Sequence, residues 1–178
     1  MAELKTAHIV LMGFSEEMIA RYVLNLIRAA DKAKAIKVLD WALATRDPEG
    51  KVKIEGDKGV DPGASRGGLV GGALGVLLVA TGPVGLGAVA VGAGIGAVAA
   101  SLRDSGMQTK DLEAAAGFME EGRTGLVIAV PLDSVDAWND FVASTVEFEA
   151  VARKHEVDIT PDHTFQAALA EYRAGQSG

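Results

Sequence analysis

The 178-residue chain contains no cysteine. That absence excludes disulfides, Cys-ligated zinc and iron–sulfur clusters, and it fits a reducing cytoplasm. Aromatic residues make up only 5% of a chain that is 49% hydrophobic, so the apolar content is mostly Ala, Val and Leu. The start, Met1 to Thr6, reads Met-Ala-Glu-Leu-Lys-Thr, with no basic segment leading into an apolar run. A cleaved secretory signal is therefore not expected. No Lys/Arg cluster carries interleaved aromatics, which argues against nucleic acid as a partner. The formal net charge of −7 is unevenly placed: acids and bases balance over residues 1 to 62, and residues 104 to 178 are strongly acidic.

The most informative absence is local. The 36 residues between Arg66 and Arg103 hold no charged side chain. Gly63, Gly67, Gly71 and Gly75 recur at every fourth position into that block, a spacing that puts them on one face of a helix. Gly inside a helix costs about 1 kcal/mol relative to Ala, so such a stretch is helical only where close packing or lipid offsets the cost. Thr81-Gly82-Pro83 interrupts it, because the residue before Pro is pushed out of the α region. Two arms result, roughly Ser65 to Ala80 and Val84 to Ser101. The second carries Ala88, Gly92, Gly96 and Ala100 at the same spacing, with Gly85 at its start. Small residues of the two arms would pack stripe on stripe, leaving Leu69, Leu74, Leu77, Leu78, Val84, Val91 and Ile95 to meet lipid or neighbouring copies. Each arm would span roughly 25 Å against a hydrocarbon core of about 30 Å. A hairpin returns both flanks to one side, and Lys58, Arg66 and Arg103 would hold that side in the cytoplasm. A dry core shared by several copies satisfies the same pattern without lipid.

Around this block the chain alternates strands and helices. Thr6 to Gly13 reads as a strand, and Ser15 offers an N-cap with Glu16 and Glu17 in the first turn. Ile19, Tyr22, Val23, Leu26, Ile27 and Ala30 then follow at helical spacing. Ile36 to Arg46 reads as a second strand, Asp47-Pro48-Glu49-Gly50 as a turn, and Lys51 to Glu55 as a third strand. After the block, Thr109 can cap a helix through Met119. Thr124 to Pro131 reads as a strand apolar on both faces. Asp133-Ser134 opens a helix carrying Trp138 and Phe141, and Thr160-Pro161 opens a final one bearing Phe165, Leu169 and Tyr172. The expected class is α+β, a ferredoxin-like split β-α-β sandwich with an inserted Gly-rich apolar helical hairpin and a C-terminal helical extension. The expected units are 1–62, 63–103, 104–158 and 159–178.

Chemistry is faint. Gly82 to Gly87 and Gly92 to Gly96 lack the preceding strand and later acid of a dinucleotide fingerprint. His8 alternates with Val10 and Met12, as a satisfied sheet histidine would. His155 is expected to end one helix and His163 to open another beside Asp162; a two-His-one-carboxylate site from His155, His163 and Asp158 is the minor alternative. Glu120-Glu121, Glu147 and Glu149 read as solvated helix faces, and Trp41 and Trp138 as packing. No catalytic residue, cofactor or metal is expected.

The hairpin Ala44 to Lys53 (ATRDPEGKVK), the Gly-rich block and the stretch Gly106 to Val130 (GMQTKDLEAAAGFMEEGRTGLVIAV), in this order, resemble a bacterial family catalogued as domain of unknown function 1269. The resemblance covers roughly Ala7 to Ala137, with the helix from Asp133 and the Pro161 to Ala174 helix going beyond it. It implies membrane association or glycine-zipper assembly and supplies no catalytic residues. The expected function is thus a non-enzymatic, membrane-associated or self-assembling protein, cytoplasmic or at the inner membrane with its folded domain on the cytoplasmic side. A homo-oligomer and membrane lipid are the expected partners, and the terminal helix is expected to dock on a sister subunit or another protein. The alternative is a ferredoxin-like small-molecule-binding or enzyme domain anchored by the hairpin.

Overall fold

The computed structural model describes residues 6–46, 52–56, 106, 110–111, 124–151 and 153–160. The first strand, β1, spans Ala7–Phe14, and helix α1 spans Glu17–Lys32. Strands β2 (Asp40–Arg46) and β3 (Val52–Gly56) form a hairpin. Strand β4 (Thr124–Pro131) is followed by a 3-10 turn at Leu132–Ser134 and helix α2 (Val135–Ser144). A second 3-10 segment, Val146–Ala150, leads into β5 (Arg153–Ile159). The class is α+β, as expected.

The five strands form one antiparallel sheet in the order β3-β2-β4-β1-β5. Strand β4 lies at its centre, and its eight residues are buried but for half-buried Pro131. This is why Thr124 to Pro131 carries no polar alternation: a strand covered on both faces has no solvent side. Pairing runs Ile9 opposite Ala129 and Leu11 opposite Val127 on one side of β1, and His8 opposite Asp158 on the other.

One face of the sheet presents Val10, Met12, Phe14, Leu126, Ile128, Val130 and Leu43 to the two helices. Helix α1 answers with Ala20, Val23, Leu24 and Ile27. Trp138 of α2 is fully buried and packs with Phe141 and Phe148, ring centroids 6.1 and 6.0 Å away. The other face is equally dry: Ile9, Leu11, Val127, Ala129, Ala42 and Ala44 are all at most 3% exposed. Both faces of the sheet are thus apolar and withdrawn from solvent.

Four expectations are corrected. The second strand begins at Asp40 instead of Ile36; Ile36 is buried in the turn before it, and Leu39 N–H donates to Ala129 O at 2.8 Å. The N-cap of α1 is Glu16, extended and making no side-chain cap bond, and Ser15 precedes it. Tyr22, counted in the apolar stripe, is 51% exposed, and Leu24 takes the inward position. Most consequential, the chain after Ser144 does not continue as a long helix. Segment 153–159 is an edge strand, so His155 sits on β5 and ends no helix. The Pro161 to Ala174 helix lies outside the described residues. So does nearly all of the Thr109-capped helix, of which Lys110 and Asp111 are helical.

Candidate functional site

The residues expected to form an assembly or membrane surface lie outside the described residues: Gly63, Gly67, Gly71, Gly75, Gly85, Ala88, Gly92, Gly96 and Ala100, with Leu69, Leu74, Leu77, Leu78, Val84, Val91 and Ile95. Among the described residues no helix is long and apolar enough to cross a membrane.

What the structure does place are Gly56 and Gly106, described residues on either side of that block. Gly56, the last residue of β3, pairs with Ala42 near the start of β2. Gly106 has φ +113, and a Cβ built on it would lie 3.0 Å from the Asp158 carbonyl oxygen near the end of β5. Asp158 pairs with His8, which pairs with Val130, just past the row where Ala129 meets Asp40. Gly56 itself lies on the row of Val127 and Leu11, three residues or about 10 Å short of the Asp158 row, and β3 runs toward the end of the sheet against which Gly106 lies. Four strand spacings of about 4.8 Å separate β3 from β5.

The two described histidines are each held by a carboxylate, on opposite faces. His8 Nδ1 donates to Asp158 Oδ1 at 2.6 Å, with Glu156 Oε1 3.8 Å from its buried Nε2. His155 Nε2 donates to Asp111 Oδ1 at 2.6 Å, and Asp111 is only 4% exposed. Both pairs fasten β5, one to its neighbour β1 and one to helical Asp111. The candidate set of His155, His163 and Asp158 is not assembled, because His155 and Asp158, three apart on a strand, point to opposite sides. His163 lies outside the described residues. Among the described residues no group of three His, Asp or Glu side chains is placed to hold a metal.

Charged side chains elsewhere bind elements together. Arg21 of α1 donates two bonds to Glu55 of β3 at 2.9 and 2.8 Å and one to Glu17 at 2.8 Å. These bonds, to Glu55 first, hold its guanidinium above an already high value. The negative charge of Glu147, and then the bond it accepts from the Tyr22 hydroxyl at 3.2 Å, raises the Tyr22 phenol above its ordinary value. A cleft of about 360 Å³ opens between the C-terminal half of α1 and the start of β2. Trp41 lies in its wall with the Arg28 guanidinium 5.5 Å above the ring. Sequence spacing gave no hint of this cleft, because its walls come from two elements joined by a turn.

These features define an α+β protein whose described residues hold ion pairs and an apolar two-faced sheet. The chain belongs to the family described as protein of unknown function (DUF1269), matched over residues 64–158, more than half its length. The match begins after β3 and runs through α2 and β5, so the segment from Asp133 to Asp158 lies within the family, contrary to the extent expected above. No curated protein and no solved structure matches the chain.

Proposed function

We propose that this chain is a non-enzymatic self-assembling protein. Its glycine-striped hairpin, residues 63–103, packs against copies of itself or inserts in lipid while the sheet domain holds both of its ends. One observation carries the reading: β3 runs toward the end of the sheet against which Gly106 lies, its last residue about 10 Å short of that row. A single crossing of a bilayer would separate the block's ends, whereas an antiparallel pair of arms returns to where it began. Helices pack about 8–10 Å apart, and the polar residues between Gly56 and Ser65 are long enough to bridge the remaining lateral gap. Without β3, the order β2-β4-β1-β5 supports reading the domain as ferredoxin-like with one strand added at its edge. The cytoplasmic placement of the domain rests on the basic flanks Lys58, Arg66 and Arg103.

The test is the mass of the detergent-free species together with its partition between membrane and soluble fractions. Gly71→Leu and Gly92→Leu place a branched side chain where two backbones meet, and each is expected to reduce particle mass or membrane partition. Unchanged mass and unchanged partition in both variants would refute the proposal.

A further inference from the structure

Helix α1 is polarised in a way that its own packing does not use. At its N-terminal end Met18 and Tyr22, one turn apart, are 74% and 51% exposed. The Tyr22–Glu147 bond ties this end to the 3-10 segment, where Val146, next in sequence to Glu147, is 73% exposed. This apolar knob is rimmed by exposed Glu16 and Glu17 and by Glu147, with Arg21 already engaged by Glu17 and Glu55. Toward the other end, about eight residues or 12 Å further along the helix, lies the cleft of about 360 Å³ beside Trp41. Its lip carries Leu39, 48% exposed. Exposed Arg28 and Lys32 line it with Asp31 and buried Asp40, and exposed Lys34 and Lys37 lie on the turn that joins its two walls. Asp31 there already accepts the Val38 N–H at 3.0 Å.

We propose that these two ends meet between copies: the Met18–Tyr22–Val146 knob of one chain seats in the Trp41–Leu39 cleft of the next. The occupant is a second copy because both halves of the complement are on this chain, acid-rimmed knob and base-rimmed cleft. Unbranched Met18 suits an irregular hollow beside an aromatic ring, where sulfur–aromatic contacts are favourable. The opposed rims set orientation and suppress knob-to-knob and cleft-to-cleft pairing, in which like charges would face each other. The contact closes as a two-fold dimer where two chains exchange knobs, and otherwise propagates into a ring or an open array. It is separate from the glycine stripe and involves no residue of it.

The chain has no cysteine, which makes the test clean. Met18→Cys and Leu39→Cys are prepared separately in the full-length protein, both at exposed positions, and an unchanged urea midpoint confirms that each folds. Under mild oxidation the mixture is expected to yield a mixed disulfide dimer several-fold in excess of either same-variant dimer. Adding Lys34→Glu and Lys37→Glu to the Leu39→Cys chain should cut that yield several-fold. Adding Glu16→Lys to the Met18→Cys chain should restore it. Equal yields of mixed and same-variant dimers, or no response to the charge changes, would overturn the proposal. Particle mass in Gly71→Leu reports on the glycine stripe and cross-link selectivity on this contact, so the failure of either is seen without the other.

Discussion

Lys34 offers the sharpest test of how local geometry sets stability here. It follows the C-terminus of α1 with φ +61, and it is the one non-glycine residue among those described with positive φ. The helix end demands it. Ala35 N–H reaches back to Ala30 O at 2.9 Å and Lys34 N–H to Asp31 O at 3.0 Å, a pattern that closes only through a left-handed residue. A side chain there costs about 1–2 kcal/mol from the clash of Cβ with the following carbonyl. Lys34→Gly removes that clash but frees the unfolded chain, returning about 0.4–1 kcal/mol. The net expectation is a gain of about 0.5–1 kcal/mol, or about 2 °C in Tm for a chain of this length. Lys34→Ala keeps the Cβ and should change stability by less than half as much. Urea unfolding followed by tryptophan fluorescence reads both, since Trp41 borders the cleft beside this turn and Trp138 lies in the core. A glycine variant less stable than the alanine variant would show that the left-handed turn is not what limits this helix end.

Three further outcomes follow from the packing and the ion pairs. Trp138→Ala should cost about 3–5 kcal/mol, read as a lowered urea midpoint, because the indole is fully buried between Phe141 and Phe148; a loss under about 1 kcal/mol would deny it that place. Asp111→Ala should cost about 1–3 kcal/mol by stranding the His155 ring, and amide exchange of β5 should quicken while that of β4 holds. Glu147→Gln should lower the Tyr22 titration midpoint toward the ordinary value of 10.0, followed by ultraviolet absorbance. The sign is that of a raised group: the stability it contributes is complete below pH 10 and lost as pH rises through the folded value. A midpoint unmoved by the substitution would show that Glu147 does not govern it.

Much of the sheet was legible because burial leaves a mark on composition. The eight residues of β4 show no polar alternation, and their central place explains why. The hairpin of β2 and β3 was announced by Asp47-Pro48-Glu49-Gly50, whose turn chemistry is local. Strand β5 was missed although its signal is present: His155, Val157 and Ile159 alternate with Lys154, Glu156 and Asp158, the period of two expected of a half-exposed strand. Its short apolar side chains and dense charge hid that period behind an apparent helix terminus. The histidine–carboxylate pairs were invisible for a different reason. His8 and Asp158 stand 150 residues apart, and only the β1–β5 register joins them. The cleft beside Trp41 likewise belongs to no single element.

The outward face of β5 has a wider consequence. A border strand with bare main-chain groups invites other chains to add to the sheet, the first step toward fibres. Here Arg153, Lys154, Glu156 and Asp158 crowd that border, all exposed, and an incoming strand would have to shed water from a dense row of mixed ions. Among the described residues that row of ions makes this margin a costly place for a further copy to add its own strand.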